Sequence, residues 1–193
     1  MQADGTDLHP VTPPALGFTH LGSTEWSLDN RKLICDMSTG GTDASHIVLM
    51  NQDGTNMKDL GLGCMPSLSP DGLQIVCSDP REGIVRMKAD GSDREPIERN
   101  GWGTQWSPDG RTLAWGSGTQ IVLLDVKTNR RRDLLTPAQS AMLGSVYWNL
   151  GWSPDSQWIA FKARRAETMD ALAQQNAALP VSYTHLTLPT NRE

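Results

Sequence analysis

Trp106-Ser107-Pro108-Asp109-Gly110 is followed two residues later by Leu113-Ala114-Trp115, and then by Ile121-Val122-Leu123-Leu124. The first five residues read as a tight turn. Proline fixes φ near −65° at the second turn position, aspartate bonds back to nearby amides, and glycine accepts φ > 0. The apolar runs on either side read as strands, so the whole is a β-hairpin leading into a further strand. The tryptophan ahead of the turn is a large apolar ring, and burying it against a neighbouring sheet stabilises by roughly 3 kcal/mol.

The same pattern recurs. Trp26-Ser27-Leu28-Asp29-Asn30 and Leu68-Ser69-Pro70-Asp71-Gly72 precede it, and Trp152-Ser153-Pro154-Asp155-Ser156 follows, at intervals of 42, 38 and 46 residues. Each copy leads into an apolar run: Leu33-Ile34-Cys35, Ile75-Val76-Cys77 and Ile159-Ala160-Phe161 match Leu113-Ala114-Trp115. Ile47-Val48-Leu49-Met50 and Ile84-Val85-Arg86-Met87 match the run at 121–124, and both lead into an Asp-Gly turn, at Asp53-Gly54 and Asp90-Gly91. Lys127-Thr128-Asn129 stands there in the third copy. Four antiparallel strands in ~40 residues, repeated, is the arithmetic of a β-propeller blade.

These motifs resemble the TolB-like, WD-repeat-like β-propeller family over roughly residues 1–165. Leu28 and Asn30 depart from the pattern in the first copy, Leu68 in the second and Ser156 in the fourth. The expected fold is all-β, with blades of four antiparallel strands. Trp26, Asp29, Asp71, Trp106, Asp109, Trp152 and Asp155 are its structural motif residues, and Trp26, Trp106, Trp152, Cys35, Cys77, Trp115 and Phe161 are expected in the core.

Met1 to Asp7 aligns with Met50 to Asn56 and with Met87 to Asp93, which puts Met1 inside a strand of a preceding blade. The expected organisation is a blade remnant at 1–17, blades at about 18–61, 62–100 and 101–140, and a half blade at 141–165. Complete propellers of this family resemble rings of six or seven blades, so the expectation is a fragment. It would form an open arc of about three and a half blades, with an apolar face uncovered at each end. Residues 166–176 are rich in helix formers. Val181 to Pro189 carries no repeat signal and resembles translated adapter sequence, so 166–193 is read as a tail, helical and then non-native, without functional weight.

A net charge of −5 argues against a nucleic-acid partner. No apolar run reaches the ~18 residues of a membrane-spanning helix. Three cysteines without a C-x-x-C pair suggest neither a disulfide framework nor a zinc site. No G-x-S-x-G elbow, H-E-x-x-H or phosphate-binding glycine loop is present. No catalytic residue, metal ligand or cofactor is expected.

With strands a to d counted from the motif, the a–b and c–d turns share one face, and the b–c and d–a connections share the other. Motif to strand c takes 21, 16 and 15 residues; strand c to the next motif takes 21, 22 and 31. The extra residues, at Asp36–Ser45 and Thr136–Tyr147, fall on the b–c/d–a face, and length variation over a rigid scaffold is where binding usually sits. Trp102, Tyr147 and Trp148 belong there as aromatic contacts, or as core between blades; Asp36, His46, Arg81 and Glu82 are candidates for its rim or for solvated loop positions. The resemblance implies a noncatalytic protein- or peptide-binding scaffold, periplasmic or otherwise exported in bacteria, with the remaining blades of the parent chain as neighbours. The alternative is the substrate-gating propeller of prolyl-oligopeptidase-like serine peptidases, which similar blades form and whose hydrolase domain would follow. A sensor or carbohydrate-binding module is a third reading.

Overall fold

The computed structural model describes residues 4–12, 17–40, 44–148 and 150–166, and the backbone of 184–189. Three sheets are up-and-down antiparallel meanders, each taking its strands in chain order. Sheet one holds β1 (His20–Trp26), β2 (Lys32–Ser38), β3 (His46–Asn51) and β4 (Lys58–Leu62). Sheet two holds β5 (Cys64–Leu68), β6 (Gln74–Asp79), β7 (Gly83–Lys88) and β8 (Glu95–Glu98). Sheet three holds β9 (Trp102–Trp106), β10 (Thr112–Ser117), β11 (Gln120–Asp125) and β12 (Arg130–Asp133). A short helix, α1 (Pro137–Ala141), leads into sheet four.

In sheet four, β13 (Leu143–Val146) and β14 (Gly151–Trp152) pair with successive parts of the same edge of β15 (Trp158–Arg165), forming one broken inner strand. The opposite edge of β15 pairs with β16 (Thr184–Pro189), in register from Trp158↔Pro189 to Ala163↔Thr184. The tail thus gives sheet four a third strand position. The helix read at 166–176 lies outside the described residues apart from Ala166. Among the described residues no helix is long and apolar enough to cross a membrane.

The serine of each motif organises its turn. Ser107 Oγ donates to Asp109 Oδ1 at 2.7 Å and accepts from Thr112 N at 3.0 Å, while Asp109 Oδ1 also accepts from Arg111 N at 3.1 Å. The same three bonds recur around Ser27, Ser69 and Ser153. The fifth motif position has positive φ in all four copies: 58° at Asn30, 71° at Gly72, 70° at Gly110 and 59° at Ser156. Asparagine tolerates that region, and serine is strained there. Ser156 gains a compensating bond, its hydroxyl accepting from Asp109 N at 3.1 Å across to sheet three.

Strand alternation sends successive side chains to opposite faces, and each face meets the next sheet. Ile34, Ile47, Leu49 and Leu60 of sheet one pack against Leu68, Ile75, Cys77, Val85 and Met87 of sheet two. Val76 and Ile84 of sheet two meet Trp106, Leu113 and Trp115 of sheet three. Ala114, Ile121 and Leu123 of sheet three meet Leu143, Ile159 and Phe161 of sheet four. Trp106, Trp115, Cys35, Cys77 and Phe161 are buried, as their pattern predicts.

Trp26 departs from its expected core position. It is 52% exposed, against 7% for Trp106, because sheet two stands in front of Trp106 and, among the described residues, no sheet stands in front of Trp26. Trp152 is half-buried against the third-to-fourth interface. The outer part of sheet one is covered, where an open apolar face is expected. Leu33, Cys35, Met37, Val48 and Met50 lie beneath Val11, Phe18 and Met57. The peptide of Val11 approaches Gly54 so closely that a Cβ on Gly54 would stand 1.9 Å from Val11 O.

Trp106→Ala should cost about 3–5 kcal/mol in urea titration, since a buried ring leaves a cavity. Trp26→Ala should cost about 1 kcal/mol or less, since half that ring already meets water. Ser107→Ala should cost about 1–3 kcal/mol by orphaning Thr112 N and loosening Asp109. A Trp26→Ala loss equal to that of Trp106→Ala would contradict the packing asymmetry.

Candidate binding face

The inner strands β1, β5 and β9 are joined by a ladder of side chains reaching across sheets. Glu25 Oε1 accepts from Leu68 N at 3.1 Å and from Ser67 Oγ at 3.3 Å. Ser67 Oγ in turn accepts from Trp106 N at 3.2 Å. A second rung lies nearer the b–c/d–a face: Asp36 Oδ1 accepts from Ser23 N at 2.9 Å and Met65 N at 3.1 Å, and Ser78 Oγ accepts from Gly103 N at 2.8 Å. Met65 and Gly103 hold matching positive φ of 51° and 69° to present those amides.

Asp36 is therefore buried as an inter-sheet staple and does not stand on the rim. His46 is half-buried, with Nδ1 2.8 Å from Asp59 Oδ2 on the neighbouring strand β4. Arg81 and Glu82 sit in the exposed b–c turn of sheet two, where their amides donate to Asp79 Oδ1 at 2.7 and 3.1 Å. Arg94 reaches Asp79 Oδ2 at 2.6 Å and Glu82 Oε2 at 3.3 Å. These side chains and Leu60–Leu62 of sheet one line a cavity of about 360 Å³ between the two sheets.

Trp102, Tyr147 and Trp148 come together at the third-to-fourth interface. Gly103 and Gly116 admit the chain at 147–148: a Cβ on Gly103 would stand 2.2 Å from Trp148 O, and one on Gly116 would meet Tyr147 O at 3.6 Å and Trp102 O at 3.8 Å. The Tyr147 and Trp148 rings meet edge-on with centroids 5.9 Å apart. Lys162 Nζ lies 5.4 Å from the Tyr147 centroid, within cation–π range. Trp102 and Tyr147 are half-buried, and Trp148 is 48% exposed.

Strand spacing alone puts Tyr147 and Trp148 at the start of the inner strand, whereas β13 begins at Leu143 and the two aromatics fill the break before β14. Helix α1 carries a readable signal in Thr136-Pro137-Ala138-Gln139. Gln139 N donates to Thr136 Oγ1 at 3.3 Å and Thr136 N to Gln139 Oε1 at 2.9 Å, with proline in the first turn. Glu25 and Arg94 have no motif to announce them, because their roles depend on the neighbouring sheet. No group of three His, Cys, Asp or Glu among the described residues is placed to hold a metal ion. Burial pushes the Cys35 thiol up to about 11 and those of Cys64 and Cys77 to about 12, so all three stay protonated at neutral pH.

The up-and-down four-stranded sheets, packed face to face through these clusters, have counterparts of known structure. TolB from Acinetobacter baumannii superposes with a TM-score of 0.63 at 17% identity, over 76% of this chain and 38% of that one. The chain has the fold of a TolB-like β-propeller. A puromycin hydrolase superposes on the propeller with a TM-score of 0.67 at 13% identity, over 94% of this chain and 28% of the other. In sequence the propeller is 30% identical over 154 residues to "Uncharacterized peptidase YuxL" of Bacillus subtilis, covering 76% of this chain. The chain spans about a fifth, 22%, of the length of that curated relative. No family model matches the chain.

Burial raises the carboxyl of Glu25 from 4.5 to about 7, against the lowering effect of its bonds from Leu68 and Ser67. Unfolded chains lose this proton near pH 4.5 while the folded propeller keeps it to about 7, so its contribution to stability is full below 4.5 and falls as pH rises through that window. The decline is on the order of 3 kcal/mol. The turn carboxylates act oppositely: hydrogen bonds hold Asp29, Asp53, Asp71, Asp90 and Asp125 below their usual range, and their contribution disappears only in acid. Glu25→Gln keeps an oxygen for Leu68 N and should flatten stability between pH 4.5 and 7 in urea titrations. An unchanged pH slope in that variant would rule Glu25 out as its source.

Proposed function

We propose that this propeller arc is a noncatalytic protein- or peptide-binding scaffold whose ligand lies on the b–c/d–a face. The observation that carries this reading is the aromatic group at the third-to-fourth interface. Trp148 presents a large, half-exposed surface, with Tyr147 against its edge and the backbone pinned on Gly103. Exposed aromatics held rigidly are the side chains that dominate binding at protein and peptide interfaces. The Arg81–Glu82 loop and the adjacent cavity supply a second, charged contact on the same face. His46 contributes an imidazole beside the Asp59 carboxylate, and Asp36 serves from within by fixing the strands beneath.

The second reading is a substrate-gating propeller in a prolyl-oligopeptidase-like serine peptidase. It is supported by the sequence match to YuxL, named as a peptidase, and by the superposition on a puromycin hydrolase. In that setting the same aromatic face meets peptides on their way to a nucleophile in another domain, and the propeller itself holds no part of the reaction.

Peptides selected from a displayed random library against the purified chain supply the test. Trp148→Ala should weaken their binding about tenfold or more without lowering the unfolding midpoint, as expected for an exposed anchor. Equal affinity for Trp148→Ala, Trp102→Ala and the unaltered chain would refute this face as the site. Under the gating reading, Trp148→Ala in a peptidase carrying this propeller changes KM across peptide lengths and leaves kcat on a minimal substrate unchanged.

A further inference from the structure

We propose that the cavity between sheets two and three is a binding site for a small polyhydroxylated molecule, of the size of a single sugar ring. It lies where the Ser69-Pro70-Asp71 turn of sheet two meets the Asp109-Gly110 turn of sheet three, and its volume is about 250 Å³. This is the a–b/c–d face, opposite the aromatic group at 147–148, and the two sites share no residue. Sheets two and three are both complete four-stranded meanders, so the cavity is bounded by two finished blades.

The observation that carries the proposal is a complementary pair of buried polar atoms with nothing to bond. Trp106 is 7% exposed and its indole Nε1–H has no acceptor; Gln74 Oε1 is buried and has no donor. Both side chains line the cavity. Native proteins seldom bury such groups unless something outside the chain supplies the partner. Trp115 and Trp152 also carry an unpartnered Nε1, whereas Trp106 shares its cavity with an unpartnered acceptor.

Neither neighbouring junction repeats the arrangement. Between sheets one and two, Lys32 and Leu68 hold the repeat positions of Gln74 and Trp106. Between sheets three and four those positions hold Thr112 and Trp152, and Ser156 reaches across to Asp109 N at 3.1 Å. Gly110 is the counterpart of Ser156, and a Cβ there would meet Pro70 Cγ and Cδ at an ordinary 3.7 Å. The absent side chain leaves open a space that a serine bridges at the next junction.

The lining selects the ligand. It contains no lysine, arginine or histidine, so an anion would find no countercharge. The Asp71 and Asp109 carboxylates stand exposed at the mouth. Ser69 Oγ is already engaged, donating to Asp71 Oδ1 at 2.6 Å and accepting from Gln74 N at 2.8 Å. An ammonium or guanidinium group would suit the carboxylates but offers no acceptor to the Trp106 N–H. A hydroxyl both donates and accepts, so it answers Gln74 Oε1 and Trp106 Nε1–H together, and further hydroxyls on the same ring can donate to the carboxylates. Pro70 and Val126 give the carbon skeleton apolar wall. The volume falls below the ~300–1,000 Å³ of pockets for drug-sized ligands, which fits a single ring.

Isotope-labelled chain titrated with glucose, galactose, mannose, ribose and myo-inositol reads the outcome at the assigned indole N–H resonance of Trp106. At least one of these should shift that signal saturably in the millimolar range. Gln74→Met removes the acceptor, and Gly110→Asn fills the cavity mouth with the residue that the first motif carries there, at φ of 58° in Asn30. Each should weaken binding about tenfold or more while keeping the circular dichroism of the parent, and either alone suffices where the other loses that spectrum. No shift with any of the five overturns the proposal, since the cavity then holds water alone. A shift with methylammonium or phosphate and with none of the five overturns the hydroxyl assignment. Affinity indifferent to both substitutions overturns the placement of the site.

Discussion

A four-stranded sheet with apolar side chains on both faces cannot remain alone in water, and every other feature of this chain follows from covering those faces. Sheets two and three do so by stacking, each lending one face to its predecessor and one to its successor. The tight Ser-Asp turns hold the strands at fixed length and keep polar backbone groups bonded where the sheets converge. The Glu25–Ser67–Trp106 ladder then ties the innermost strands of the first three sheets to one another. Loops on the far face are left free of packing duty, and there the aromatic and charged groups gather.

Covering a face does not require a whole sheet. Val11 and Phe18 shield the outer part of sheet one, with backbone contact at Gly54 in place of side-chain packing. What remains open is the inner part around Trp26. The distribution of tryptophan follows: the same residue type at equivalent positions is core at 106, half-buried at 152 and solvent-facing at 26, according to what stands in front of it.

Much of this is legible in the residues. Four copies of the motif with their apolar runs define the strands and their antiparallel order, and the turn chemistry is readable from Pro, Asp and Gly. The motif understates its own serine, however. Serine is common in turns, so nothing marks Ser107 as the atom on which Asp109 and Thr112 both depend until the distances are known. At the candidate site, the repeat places Tyr147 near Trp102, but the break between β13 and β14 that Tyr147 and Trp148 fill has no counterpart in the other copies and no signal in the motif. Asp36 reads as a loop carboxylate because its bonds to Ser23 and Met65 cross from one strand and one sheet to another. Glu25 is opaque for the same reason: a half-buried acid at a strand end has no local signature.

Ser156 carries an implication for how repeats become individuals. In place of the usual glycine it accepts a strained backbone, and its hydroxyl bonds to Asp109 N of the preceding sheet. Glu25, Ser67 and Asp36 are likewise distinct at positions that other copies fill differently. Interchangeable modules could be shuffled or duplicated without consequence. Here each junction has its own lock, so the order of the blades along the arc is written into them, and transplanting one between positions would separate a donor from its acceptor.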